Sequence, residues 1–116
     1  MIRRGSIHLV ELEWSRGSEA DKTRPAVVVS NDAANAMANR LGRGVVTVVP
    51  VTSNVRRVYP FQVLLTAADS GLDRDSKAQA EQIRSVDLAR VGDQVGVLAG
   101  ASLSELDEAI RLHLEL

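Results

Sequence analysis

The stretch KTRPAVVVSND, residues 22–32, puts a cation at a mechanically useful place. Val27, Val28 and Val29 are contiguous and β-branched, which predicts a buried strand. Ser30, Asn31 and Asp32 then stop it with turn or helix-cap chemistry. Pro25 can open a strand but cannot donate a hydrogen bond within its middle. Arg24 therefore stands where a loop meets a rigid element, a place suited to holding a charged side chain against a reacting group. The same place also suits an ordinary solvated arginine.

The rest of the inventory narrows the chemistry. There is no cysteine, so neither a disulfide framework nor a thiolate metal site is available. His8 and His113 lie near opposite ends, and neither has an i+3 or i+4 partner for a metal on a helix. His113 falls in the last turn of a terminal helix, where a cation meets the helix dipole favourably; His8 reads as a structural or surface residue of the first strand. Neither GxxxxGK[ST] nor GxGxxG occurs. Asp69, Asp73 and Asp75 form an acidic loop without EF-hand spacing, which reads as solvated. These residues give no reason to expect a metal or a cofactor. Arginines, hydroxyls and a few carboxylates remain, and one reaction suits them. RNA carries its own nucleophile, the 2′-hydroxyl, so a cleaving protein need only position the strand, move protons and stabilise a phosphorane-like transition state. A planar guanidinium donating two parallel hydrogen bonds suits the last task.

Charge supports an anionic ligand. Residues 1–60 carry nine Lys/Arg against five Asp/Glu, a balance of +4; residues 61–116 carry five against ten, a balance of -5. A net charge of -1 can thus hide a basic face, unless the fold interleaves the two halves.

The elements that must position these groups follow from pattern. The 116 residues fit one domain, 1–116. Strands are expected at 6–12, 25–30, 44–52 and 56–65, the last an edge strand because of Pro60. A polar loop fills 13–23, and a short helix capped by Asn31 or Asp32 runs over 31–42 to Gly42. Residues 67–77 read as loop. A short strand is expected over 81–83, then a turn near Ser85, then weak order or a short strand over 94–100. Ser102 and Glu105 form a capping box for a C-terminal helix whose Leu103, Leu106, Ile110 and Leu114 share one face. The fold class expected is α+β, mostly β: a small barrel or twisted antiparallel sheet with short helices and a C-terminal helix. No apolar run has membrane-spanning length and the N-terminus lacks a long apolar core, so the expectation is a soluble, cytoplasmic protein with no membrane contact.

RRGSIHLVEL, GSEADKTRPAVVVSND, VVPVTSN, YPFQVLL and AEQIRSVD occur in this order. Together they resemble the MazF/PemK-family ribonuclease toxins of bacterial toxin–antitoxin pairs, from end to end. The resemblance implies an SH3-like β-barrel, a homodimer, metal-independent cleavage of single-stranded RNA at short sequences, and inhibition by a small antitoxin. It also assigns roles. Arg24 and Thr52 match the catalytic pair, and Glu19 matches the loop glutamate. Ser53, Lys22, Arg16, Asn54 and Arg56 are the expected RNA-binding set. Without the resemblance, Thr52 reads as a plain β-branched strand end and Glu19 as a plain loop carboxylate.

Two departures stand out: Ser6 follows the early Gly5 where the family often has Asp, and Lys22 stands where it often has Gly. A stiffer, more basic loop would change sequence preference. Two rival readings share the family: a toxin of the same barrel that binds DNA gyrase and cuts nothing, and an inactive antitoxin-binding member. Arg24 and Thr52 in matching contexts argue against the first.

Overall fold

The computed structural model describes residues 1–12 and 23–116. Three strands form its centre: β1 (Ser6–Glu11), β2 (Thr23–Val28) and β3 (Val45–Thr52). They pair antiparallel, with Ile7 opposite Val27 and Val27 opposite Val49. Alternate side chains enter two separate cores. Ile7, Val27, Val49 and Val51 pack on one face; Val10, Val28, Val46 and Val48 pack on the other. A strand buried on both faces has no position for a polar residue, so its sequence is a continuous apolar run. That is the physical origin of Ala26, Val27 and Val28 in β2 and of Val48–Val51 in β3, all of them buried.

Further strands extend this centre into one sheet of order β4-β5-β3-β2-β1-β7, with β6 also paired to β3. The added strands are β4 (Gln62–Leu65), β5 (Ser76–Gln79), β6 (Arg84–Asp87) and β7 (Val91–Val97). Among the described residues no pairing joins β4 to β7, so of the two arrangements expected the structure adopts the open twisted sheet. Helix α1 (Asp32–Leu41) lies beyond the end of β2, α2 (Ala67–Ser70) follows β4, and α3 (Gly100–Leu114) closes the chain. No helix among the described residues is long and apolar enough to cross a membrane.

Helix α1 matches its sequence signals. The Asn31 side chain accepts from Ala34 N–H at 2.8 Å, and Gly42 ends the helix in the left-handed region at φ 68°. Buried Asn35 donates to the Ser30 carbonyl, and the Ser30 hydroxyl donates back to Asn35 Oδ1 at 2.6 Å. Thr47 N–H donates to the Ser30 hydroxyl, which ties the helix start to β3.

Elsewhere the structure corrects the pattern. The edge strand β4 covers Gln62–Leu65 alone, with Tyr59 and Phe61 outside it and stacked on each other, centroids 5.4 Å apart. The segment expected as loop holds α2 and the start of β5. The strand expected over 81–83 is a 3-10 turn, Ala80–Gln82, and the turn expected near Ser85 is β6. Both strands are polar in sequence, and their order comes from pairing with β3: Lys77 and Ala78 opposite Thr52 and Val51, Arg84–Asp87 opposite Val48–Val45. The segment around 94–100 contributes β7, a full strand beginning at Val91.

The capping box is not used. Helix α3 starts at Gly100, its N-cap Ala99 makes no side-chain cap hydrogen bond, and Ser102 lies within the first turn. Leu106 and Ala109 are buried, with Leu103 and Ile110 packed beside them, but Leu114 overruns the core and is 45% exposed. His113 does stand in the last turn. His8 is structural: it is buried, its Nδ1 meets the Gly92 carbonyl at 3.0 Å and its Nε2 meets the Ser6 hydroxyl at 2.9 Å.

Candidate active site

Strand β3 changes partners along its length, and the change opens the site. Its pairing with β2 ends at Pro50 opposite Ala26, where the next β2 residue, Pro25, has no N–H to donate. Beyond Pro50, Val51 and Thr52 pair with β5 instead. The β2 and β3 ends thus leave a cavity of about 600 Å³ between them. Leu9, Pro25, Val51, Leu72 and Val95 give it apolar lining. Arg24, Thr52, Ser53, Asp73, Arg74 and Ser76 supply its polar groups.

Arg24 is half-buried, and among the described residues its guanidinium makes no hydrogen bond and no ion pair. Thr52 is half-buried and anchored: its hydroxyl accepts from Asn54 N–H at 3.2 Å, which leaves its own proton free to donate. Opposite Thr52, Lys77 is 8% exposed and donates from Nζ to the Arg57 carbonyl at 2.5 Å, pinning the chain that follows β3. The cavity is therefore lined by two guanidinium and three hydroxyl side chains against one carboxylate, over an apolar base. Such a site attracts an anion with several acceptor oxygens, and the apolar surround strengthens each charge-assisted hydrogen bond. Among the described residues no cluster of three His, Asp or Glu side chains is placed to hold a metal ion.

Of the expected site residues, the structure brings Arg24, Thr52 and Ser53 together. Asn54 and Arg56 do not line the cavity. They form the turn after β3, where Arg56 N–H donates to Asn54 Oδ1 at 3.2 Å. Glu19, Lys22 and Arg16 lie outside the described residues.

Sequence reasoning missed Asp73, Arg74 and Ser76, read there as solvated loop. Their segment is built rather than loose. The Thr66 hydroxyl caps α2 by accepting from Asp69 N–H, and Gly71 ends it at φ 80°. The Ser70 carbonyl lies against Gly96 of β7 so closely that a Cβ there would stand 2.3 Å from it. Only glycine at 96 lets the segment dock. The one available signal was this glycine within a strand pattern, which marks close backbone approach.

With this geometry in view, comparison with known proteins identifies the class. The family described as PemK-like, MazF-like toxin of type II toxin-antitoxin system matches residues 3–114. The chain is 62% identical over 116 residues to endoribonuclease MazF9 of Mycobacterium tuberculosis (strain ATCC 25618 / H37Rv), covering 100% of this chain and 98% of that protein. Among solved structures, a MazE–MazF structure (Form-II) from Deinococcus radiodurans superposes with a TM-score of 0.80 at 26% identity, covering 99% and 96% of the two chains. An endoribonuclease in complex with its cognate antitoxin from a mycobacterial species gives 0.78 over 100% and 97%, at 23% identity, a likeness of fold.

The chain belongs to the PemK-like, MazF-like toxin family of type II toxin–antitoxin systems. It is an endoribonuclease toxin of that family.

Proposed function

We propose that this toxin cleaves single-stranded RNA at short sequences, without a metal ion, at the cavity that holds Arg24 and Thr52. The observation that carries the reading is a guanidinium without a partner among the described residues and an anchored hydroxyl on one partly apolar cavity. In the proposed reaction the 2′-oxygen attacks the adjacent phosphorus and loses its proton. The bond from phosphorus to the 5′-oxygen breaks, and that oxygen gains a proton. The products are a 2′,3′-cyclic phosphate and a 5′-hydroxyl.

Arg24 donates two parallel hydrogen bonds to the non-bridging oxygens as their charge grows. A guanidinium is a poor base because it offers no acceptor, so Arg24 stabilises charge rather than taking the 2′-proton. Thr52 donates to a phosphate oxygen, with Ser53 beside it. In this reading Glu19, the residue matched to the family's loop glutamate, accepts the 2′-proton, with Lys22 or Arg16 offsetting its charge near phosphate. In the same reading the toxin works in the cytoplasm as a homodimer and is silenced by an acidic antitoxin segment that covers Arg24. A mycobacterial endoribonuclease of the same fold, solved in complex with its cognate antitoxin, supports an antitoxin as partner.

The test is purified protein with a mixed single-stranded RNA pool and excess EDTA, with product ends sequenced and chemically typed. Cleavage at a short shared sequence with cyclic-phosphate ends supports the reading. Dependence on added divalent metal, or 5′-phosphate products, overturns it.

A further inference from the structure

We propose that Arg74 is a second phosphate-gripping residue of the cavity, taking a phosphate next to the scissile one and so setting the register of the RNA strand. The proposal rests on the reading of the cavity as an RNA site. Arg74 lines the same cavity as Arg24 and Thr52, from the segment between α2 and β5. Among the described residues its guanidinium makes no hydrogen bond and no ion pair, although Asp73 is its chain neighbour and lines the cavity too. Two guanidiniums without partners among the described residues repel each other across one cavity in the absence of an anion. Their repulsion is relieved when each meets its own phosphate.

The backbone around Arg74 is held as a binding group requires. The Ser76 hydroxyl donates to the Arg74 carbonyl at 3.1 Å. The next residue, Asp75, accepts from Ala67 N–H at 2.8 Å, which ties the segment back to α2. Leu72 N–H donates to the Ser70 hydroxyl, and the Ser70 carbonyl rests on Gly96. Asp75 is thus a structural carboxylate. Its hydrogen bond orders the segment that carries Arg74, which lowers the ordering cost of gripping a ligand.

Arg24 and Arg74 reach the cavity from different elements, β2 and the segment before β5. A chain with one charged phosphate per nucleotide can satisfy both at once. In the proposal each guanidinium therefore takes its own phosphate of the strand. The division of labour follows: Arg24 acts on the reacting phosphate, and Arg74 holds a neighbour equally in ground and transition states. Loss of Arg74 should therefore raise KM and leave kcat nearly unchanged.

The experiment measures binding of an uncleavable 2′-O-methyl RNA containing the preferred sequence. Each phosphate in turn is replaced by a neutral methylphosphonate, and wild type, Arg74→Ala, Arg74→Lys and Arg24→Ala are compared. Arg74→Ala should weaken binding on the order of ten- to a hundredfold. The slope of log affinity against log salt should shrink by about 0.7. Neutralising one phosphate beside the scissile one should cost wild type affinity and cost Arg74→Ala nothing further, whereas Arg24→Ala shows that silence at the scissile phosphate. Arg74→Lys should keep the salt slope. The proposal is overturned if Arg74→Ala binds as wild type does, if its loss adds to that of every neutralised phosphate, or if it couples to the scissile phosphate alone. Failure of the wild type to bind any RNA would sink the RNA reading itself, and Arg74's role with it. Unchanged thermal stability of Arg74→Ala is the control for folding.

Discussion

The hydrogen-bonded register between β2 and β3 stops two residues short of both Arg24 and Thr52, at Ala26 opposite Pro50. Neighbouring strands carry the two side chains, yet no ladder closes the gap between them, and both line the cavity that results. Pro25 holds the gap open because it has no N–H to extend the ladder. Rigid strands therefore present both groups at the edge of a space a ligand can enter.

Arg24→Lys should be nearly as damaging to cleavage as Arg24→Ala. Lysine keeps the charge and loses the planar fork. Loss of a transition-state donor typically lowers kcat by about 10²–10³. Single-turnover rates with saturating RNA, alongside circular dichroism, measure this. A Lys variant as fast as wild type would show that charge alone matters.

Gly96→Ala should destabilise the fold and slow cleavage together. The added Cβ would stand 2.3 Å from the Ser70 carbonyl and 3.3 Å from Ile7 Cδ1. Overpacking of this kind costs about 1–3 kcal/mol. The segment carrying Arg74 and Ser76 must shift to relieve it, so the two losses have one cause. Denaturant unfolding and RNA affinity are the measurements. A variant with wild-type stability would mean that β7 and α2 are not in contact as described.

Legibility followed burial. The middles of β2 and β3 announce themselves in sequence because residues 26–28 and 48–51 are buried on both faces and all apolar. β5 and β6 do not, because SKAQ and RSVD take their strand form from β3, a partner many residues away. The same division holds in the site. Arg24, Thr52 and Ser53 sit on the legible strand ends and their motifs. Arg74 and Ser76 reach the cavity through the α2 turn and the approach of Ser70 to Gly96, a geometry that no short sequence spells out. Ser102 and Glu105 show the reverse error: the capping pattern is present, but α3 begins before it.

Acid should weaken the tie between the N-terminal segment and α1. The Arg4 backbone N–H, donating to Asp32 Oδ1 at 2.7 Å, holds the Asp32 carboxyl below its ordinary range, with the Asn35 side chain assisting. A carboxyl whose pKa is lower folded than unfolded contributes stability that is whole above the unfolded value. That contribution is lost as pH falls through the folded value. Asp32→Asn should therefore cost stability at neutral pH, by a difference that begins to shrink as pH falls below about 4 and closes only below the folded value. Urea unfolding across a pH series checks this. A constant difference between the two proteins at all pH values would rule out the charged interaction.

The central claim is that RNA supplies its own nucleophile in a cavity built around Arg24 and Thr52. The direct measurement uses one RNA whose cleavage position has been mapped, prepared with a ribose, a 2′-deoxyribose or a 2′-O-methyl ribose at the scissile nucleotide alone. Cleavage is followed in EDTA with each substrate at a saturating concentration. The account predicts cleavage of the ribose substrate, with no product from the other two even though both bind. Cleavage of the 2′-deoxy or 2′-O-methyl substrate at the ribose rate would contradict it.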